Sequence, residues 1–567
     1  MLILGITNND TAGACIIRGS EIIAAVHEER FTRIKAHKTW PTQSIGFVLS
    51  TANKTINDVD IIAYGWKAGF NENYCLNLYV ERVINECIYN FDNIDILQKR
   101  IADEINNDKE KREEFDRFIW DNHLQNKVRY IDHHDTHAWG AWLCSPFEQA
   151  LVVTCDGRGD FISLSIRYIN EGKETVLHRE TTIDSLGYFY GRITHLLGFK
   201  ANRHEGKITG LSAYGNPEHA LPLMKKMIDI KNHRLVANCG DYYSPSYHGY
   251  SPTLVNEINK YSPQDIAAAA QKHMETILTE LIQPYVKYHK VKNICLAGGV
   301  FGNVRLNQKL QENLGIANLF ILPCMGDEGL PLAAAVTAQW RENRLRIRMD
   351  TMALGTEYTN DEIASILQQQ QDLIIKTPDN MQQAVIDCLK NNNVMAFFRG
   401  KMEFGPRALC NRSIIYHANK KDVNLWLNQK LKRTEFMPFA PVIAKNLADI
   451  SLINWSPADK AAEFMTITYN CKPVMLLQCP AVVHIDGSAR PQIVDTEQDP
   501  FMYQLLNRWY SLTGQPCLVN TSFNRHEEPI INTPHEALSV LRNGIINAIN
   551  FNDTFLVTRK DDASMGN

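Results

Sequence analysis

Apolar runs separated by short polar turns open the chain. Leu2–Thr7 (LILGIT) is apolar, Asn8–Gly13 (NNDTAG) is a turn, and Ala14–Gly19 (ACIIRG) is apolar again, which predicts a strand pair. Ser20–His37 (SEIIAAVHEERFTRIKAH) then leads into a polar stretch. The same signature returns at Ala150–Ile169 (ALVVTCDGRGDFISLSIRYI): apolar strand, Asp-Gly turn, alternating strand. Asn126–Tyr130 (NKVRY) reads as a short strand, and Thr136–Cys144 (THAWGAWLC) as the opening of a buried helix. Asn293–Leu310 (NICLAGGVFGNVRLNQKL) reads as strand, glycine turn and helix. Tyr74–His123 is charged, helical in pattern and poor in glycine, so it reads as an inserted helical arm. The rhythm breaks at Arg346–Asn360, where a linker-like Leu-Gly precedes a capped helix, Thr359–Leu367 (TNDEIASIL).

Two hairpins, each with an aspartate in a small polar turn, form the pattern of an actin-like fold. There the turns of both halves face one nucleotide cleft. The predicted class is α/β: an actin-like domain over 1–348 with its helical insertion at about 74–123, then a second α+β domain over 349–567. A chain of 567 residues is too long for one core, in keeping with this division. The net charge of -4 offers no electrostatic footprint for nucleic acid. Thirteen cysteines occur without a CxxC pair, several of them within apolar runs, as buried free thiols of a reducing compartment would be. No secretory leader and no membrane-length apolar run is read, so the expectation is a cytoplasmic enzyme.

Candidate chemistry is concentrated in a few places. Ile131–Cys144 (IDHHDTHAWGAWLC) packs three histidines and two aspartates into its first half. His133 and His137 are four apart and share one face of a helix, within reach of one ion. The same spacing also suits a capped helix start with exposed histidines, and the stretch by itself does not choose. A zinc-protease motif is excluded, because His134 stands where the glutamate would be. In the second domain Arg399, Lys401, Arg407 and Arg412 cluster, followed by Lys430, Lys432 and Arg433. Phe404, Gly405, Pro406, Phe436, Pro438 and Phe439 interleave them, which suggests a walled pocket for phosphate or carboxylate rather than a solvated face. Asn520, Thr521, Ser522 and Asn524 form a polar turn at a strand end.

Taken together, the stretches DHHDTHA, CDGRGD, SLGYFYGRITHLLGF, HEGKITGLSAYG, CLAGGVFGN, MGDEG, EFGPRALCNRS, FMPFAPV and VNTSFNRHEEPI resemble, in order and nearly end to end, the O-carbamoyltransferases of the nodulation-protein and tobramycin-biosynthesis type. The resemblance implies an actin-like domain similar to the tRNA threonylcarbamoyl-transferase subunit, followed by a YrdC-like domain. It implies that the YrdC-like half makes carbamoyl-adenylate from carbamoyl phosphate and ATP, with Mg2+ accompanying the ATP. The actin-like half would then pass the carbamoyl group to a hydroxyl of a sugar or natural-product acceptor. His133, His137, Asp156 and Asp327 would hold a divalent metal, Fe2+ foremost, with Mn2+ or Zn2+ as alternatives. Asp10, Glu205, Lys207, Gly298, Gly299 and Asn303 would line the adenylate site. Arg407, Arg412, Lys432, Arg490, Asn520 and Ser522 would bind carbamoyl phosphate and ATP. Catalytic roles would fall to Asn9, Asp10, Lys432 and Arg490. His134 is expected in a supporting or exposed position. No nucleic-acid or membrane partner is implied, and the resemblance leaves room for a homodimer.

Three positions depart from the pattern. The family turn His-Asp is Asn9-Asp10 here, the arginine of its FRPFAP stretch is Met437, and the glycine of RALGNRS is Cys410. Asparagine cannot take a proton from an attacking hydroxyl, so Asn9 calls for another base or a slower transfer. Cysteine replaces glycine at position 410 without strain only if the backbone there avoids positive φ. Two other readings share these features: a hydrogenase-maturation-like carbamoyltransferase, which usually carries CxxC zinc motifs, and a nucleotide-binding protein in which Asn9 has impaired transfer.

Overall fold

The computed structural model of the protein describes residues 1–67, 74–89, 93–243, 250–431, 437–525 and 527–560. The chain divides into two compact units, Met1–Ile23 with Lys38–Arg348, and Ala24–His37 with Met349–Asn567. No helix among the described residues is long and apolar enough to cross a membrane.

The first unit repeats one strand plan. Its first sheet holds β1 (Leu2–Thr7), β2 (Gly13–Arg18), β3 (Glu21–His27), β4 (Ile61–Tyr64) and β5 (Val128–Tyr130) in the order β3-β2-β1-β4-β5. β1 and β2 are antiparallel, whereas β1, β4 and β5 run parallel. The second sheet holds β6 (Gln149–Gly159), β7 (Ile162–Asn170) and β8 (Lys173–Thr181). A small hairpin, β9 (Ile228–Lys231) and β10 (Arg234–Ala237), intervenes before β11 (Asn293–Ala297) and β12 (Asn318–Ile321) complete the order β12-β11-β6-β7-β8. In both sheets an antiparallel meander leads, and its first strand takes later parallel strands on its other side. This duplicated plan is the actin-like architecture that the two hairpins predict. β1 and β4 are buried throughout, as parallel strands covered on both faces must be.

Each predicted strand pair gains a third strand. β8 is half exposed along most of its length, so its apolar signal is diluted. β3 lies in the run that leads into the polar stretch, and Ala24–His37, which begins within β3, belongs to the second unit. Ala25 N–H donates to Leu354 O (2.9 Å), Arg30 to Gly405 O (2.8 Å) and Arg33 to Pro529 O and Ile530 O (2.7 and 2.8 Å).

The helical arm is present as helices Tyr74–Tyr89 and Ile94–Asp121. The inner face of the second is Leu97, Arg100, Glu104, Asp108, Phe115 and Ile119, so three charged residues occupy a buried stripe between apolar ends. Arg100 pairs with Glu104 (3.3 Å), and Glu104 accepts from Thr182 Oγ1 (3.0 Å). Arg82 of the first arm helix binds Asp184 through two bonds of 2.8 and 3.0 Å.

The second unit is built on an eight-stranded mixed sheet. Its strands are β13 (Leu373–Lys376), β14 (Met395–Phe398), β15 (Arg412–Tyr416), β16 (Ala440–Ala444), β19 (Gln492–Val494), β20 (Cys517–Ser522), β21 (Ala548–Phe551) and β22 (Phe555–Arg559). They are ordered β13-β22-β21-β14-β15-β20-β16-β19, and a separate two-residue pair joins β17 (Tyr469–Asn470) to β18 (Ser488–Ala489). Register brings several loops to one end of the sheet: Phe398 pairs with Arg412, Ser413 with Ser522, Ala440 with Asn520, and Val442 with Gln492. The capped helix is Asn360–Gln368, with Thr359 and Glu362 forming a reciprocal capping box.

Candidate functional site

The histidine-rich stretch begins a helix, His133–Cys144, capped by Asp132, whose carboxylate accepts from Asp135 N–H. Starting the helix at His133 puts His133 and His137 one turn apart on the same face. Asp160 ties this start down: its Oδ2 accepts from His133 N–H (2.8 Å) and Lys67 N–H (2.9 Å). His134 turns the other way, into the second sheet, and is fully buried rather than exposed. Its Nε2 lies 2.9 Å from Ile162 O, which can only accept, so Nε2 carries the proton; Nδ1 then accepts from Thr154 Oγ1 at 2.7 Å. Burial, with His137 nearby, holds its pKa at about 3, so it stays neutral.

Asp156 comes from an irregularity in β6, where pairing with β7 breaks between Cys155 and Gly159 and re-aims the strand. Two backbone N–H groups orient its carboxylate, Gly157 at 2.6 Å and Gly299 at 3.0 Å. The glycine turn after β11 makes that approach feasible: Gly298 has φ +101°, and a Cβ there would lie 2.2 Å from Cys155 O. Asp327 opens the short turn that leads into helix Leu330–Asn343.

These elements converge on one point. His137 Nε2 lies 3.5 Å from Asp156 Oδ2 and 3.5 Å from Asp327 Oδ1, and His133 Nε2 lies 3.5 Å from Asp327 Oδ1. One ligand atom from each of the four residues falls within 4.8 Å of the others. Ligands at about 2.1 Å from a common ion stand roughly 3–3.5 Å apart in adjacent positions, so the spacing suits coordination better than hydrogen bonding. Both ring nitrogens of His133 and His137, together with Asp327 Oδ1, are buried without a hydrogen-bond partner among the described residues. Orphaned buried polar atoms that face one another are the mark of an ion's place. The electrostatics agree. Burial pushes Asp327 up to about 7, with Asp156 adding to the effect and Asp10 contributing. Burial opposes charge on His137, yet Asp156 and Asp327 outweigh it and raise the imidazole to about 9. The two carboxylates call for a positive charge between them. The residues present fit a divalent cation.

Other predicted residues of the first unit take varied positions. Asn9 is half-buried, with its amide Nδ2 lacking a partner among the described residues. Asp10 is exposed and pairs with Lys38 at 2.7 Å. Glu205 accepts from Asn202 N–H (2.7 Å) at the start of a short helix that also carries the buried Lys207. Asn303 is committed internally: it caps helix Val304–Leu314 through Leu306 N–H and donates to Gln271 at 2.7 Å.

In the second unit Arg407 and Arg490, on loops, and Ser522, the last residue of β20, are half-buried at the shared sheet end, and Ser522 Oγ donates to Asn524 at 2.6 Å. Lys432 lies outside the described residues. Arg412 differs from the pocket ligand that its sequence context predicts. It is fully buried, donates to the carbonyls of Arg399, Asn411, Thr356 and Gly400 at 2.9–3.2 Å, and stacks on Phe398 at 3.7 Å. Its guanidinium holds the loop that carries Arg407. Asn520 commits its Nδ2 to Ala408 O (3.1 Å) and Gln492 (2.6 Å), while its buried Oδ1 has no partner among the described residues. Arg399 is paired with Asp499 and Asp553. Cys410 has φ +76°, so the backbone there does require the left-handed region, and the cysteine is strained where the family pattern has glycine.

Sequence reasoning passed over Glu403, whose buried Oε1 gathers the N–H groups of Leu409 (2.6 Å), Asn411 (2.9 Å) and Arg412 (3.2 Å). It also passed over Trp66 and Asp160, which pack and tether His133. The one advance signal was the second aspartate of CDGRGD.

Comparison with known proteins identifies the family. The model for the carbamoyltransferase N-terminus matches residues 2–336, and that for the carbamoyltransferase C-terminus matches residues 386–559. An uncharacterised protein of Methanocaldococcus jannaschii is 30% identical, with 95% of this chain and 96% of that protein covered. The nodulation protein NolNO of Sinorhizobium fredii is 29% identical over 93% of this chain and 76% of its own length. Among solved structures, full-length HypF in its phosphate- and nucleotide-bound form gives a TM-score of 0.33 at 12% identity, covering 61% of this chain and 47% of that one. With both family models matched, the chain belongs to the carbamoyltransferase family and is a carbamoyltransferase.

Proposed function

We propose that the protein is an ATP-dependent O-carbamoyltransferase. In this reading the second unit converts carbamoyl phosphate, ATP and one water into carbamoyl-adenylate, phosphate and pyrophosphate. The first unit then transfers the carbamoyl group to an acceptor hydroxyl and releases AMP. The observation that carries the proposal is the His133, His137, Asp156 and Asp327 cluster, with its unpartnered buried nitrogens, on an actin-like unit. These four residues would hold a divalent ion, Fe2+ foremost, which when bound would supply positive charge against the charge developing on the departing AMP phosphate.

The remaining work falls to the chain itself. The glycine turn at Gly298–Gly299 carries no side chain that would keep the nucleotide away, while its own N–H groups go to Met325 O and Asp156. Lys207, buried in its helix, supplies positive charge toward the adenylate. In the second unit Arg407, Arg490 and Lys432 clamp the phosphates, and Ser522 supplies a hydroxyl, so transfer is promoted by positioning and charge without a covalent enzyme intermediate. Asn9 replaces the family base and can orient the acceptor by hydrogen bonding, but it cannot carry away its proton.

The test separates the two steps. With carbamoyl phosphate, ATP and a panel of hydroxyl acceptors, pyrophosphate release reports adenylation, and mass spectrometry reports an acceptor heavier by one carbamoyl group. His133→Ala should leave pyrophosphate release running and stop acceptor modification, whereas Arg407→Ala or Ser522→Ala should stop pyrophosphate release. Failure of all three variants at one step would refute the division of labour.

A further inference from the structure

We infer that the helical arm sets the geometry of the metal ligands, through a chain of contacts running from Asp108 to Arg158, Trp66 and His133. This rests on the metal-centre reading above. A histidine that binds metal is ordinarily oriented by a hydrogen bond from its other ring nitrogen to a carboxylate or carbonyl. His133 has no such partner among the described residues on either nitrogen. Packing holds its ring instead. Trp66 meets it edge-on, with ring centroids 4.4 Å apart at 70°, and the missing side chain of Gly159 leaves the space on which the ring sits.

Trp66 is in turn covered by the Arg158 guanidinium, 5.5 Å from its ring centroid. Arg158 is fixed by Asp108 of the arm, Nη1 to Oδ1 at 2.6 Å, with both side chains mostly buried. Arg158 also lies two residues beyond Asp156, on the same irregular stretch of β6, so one arginine adjoins the supports of two ligands. An apolar stripe would dock a helix without this cost. Burying charge is costly unless it is paired, and a paired charge fixes register more narrowly than a hydrophobic contact does. The arm has charge on its inner face at the height where Arg158 meets it. Arg158 and Asp108 are therefore positioning residues: they hold Trp66, and Trp66 holds His133.

The test uses the full chain, stripped of metal and titrated with Co2+, whose visible absorption reports ligand geometry. Asp108→Asn should weaken Co2+ affinity by about 10-fold and shift the absorption bands, the low end of what loss of ligand support costs. Asp108→Glu, which keeps the ion pair, should restore both. Lys109→Ala, which removes an exposed pair with Glu113 on the same helix, should change neither. Wild-type affinity and spectrum in Asp108→Asn would overturn the inference. Should that variant fail to fold by circular dichroism, Trp66→Phe decides, because it leaves the ion pair whole: weakened affinity is expected, and wild-type affinity with an unchanged spectrum refutes the chain. If the unaltered protein itself takes up no Co2+, the metal-centre reading falls and takes this inference with it. Uptake by the wild type with indifferent variants defeats the inference alone.

Discussion

Replacing Gly159 with alanine adds one methyl group and leaves all four ligands in the chain. That methyl would stand 2.0 Å from His133 Cδ2, 2.2 Å from Cγ and 2.6 Å from Nε2, where ordinary contact begins at 3.4 Å. The ring must therefore retreat by about 1.4 Å, while metal–ligand distances tolerate only about 0.2 Å. Retreat is blocked on another side by Trp66. Gly159 is not among the positive-φ glycines, so alanine suits the backbone and the conflict falls on the imidazole. The expected outcome is a loss of metal affinity of at least about 10–100-fold, of the order seen when ligand support is removed. Overpacking should cost the metal-free fold only about 1–3 kcal/mol. Elemental analysis of the purified protein and Co2+ titration of the stripped protein measure the first, and urea denaturation measures the second. A folded Gly159→Ala protein with full metal content and wild-type affinity would remove His133 from the ligand set.

Three further outcomes are expected. Arg412→Ala strands four backbone carbonyls and should lower the stability of the second unit by about 3 kcal/mol or more, seen in urea denaturation; wild-type stability would return Arg412 to the list of ligand-binding candidates. Asn9→His restores a titratable base and should speed single-turnover carbamoyl transfer at least ~10-fold with pyrophosphate release unchanged; brisk transfer in the starting protein without acceleration in the variant means that another group is the base. Burial works against the charge of Glu29, but Arg30, Lys35 and the Ala36 N–H hold its pKa at about 2, below the ordinary 4.5. Because the folded value is the lower one, this stabilisation is full above pH 4.5 and is lost as pH falls toward 2, roughly 3 kcal/mol in all. Glu29→Gln should flatten that part of the acid-unfolding curve, and an unchanged curve would contradict the assignment.

What the sequence by itself determined was periodic and local. The apolar runs of β1, β2, β6, β7 and β11 were legible because buried strands carry continuous apolar residues between glycine and aspartate turns. The i,i+4 histidines and the capping box of Thr359 were legible because helical geometry fixes which residues share a face. The four ligand residues were named through family resemblance, since no spacing in the chain connects His133 to Asp327. Tertiary structure alone decided the rest. Arg412 looked like a phosphate ligand because charge is visible in sequence while its partners, four carbonyls from three separate stretches, are not. The arm was legible as a charged helical insertion, but not which of its charges are buried: Arg100, Glu104 and Asp108 find Tyr188, Thr182 and Arg158 only after the chain has folded over them. Ala24–His37 joins the second unit through bonds to Leu354, Gly405 and Ile530, hundreds of residues away. A residue's type limits which bonds it can make, and only the fold selects which of those bonds form.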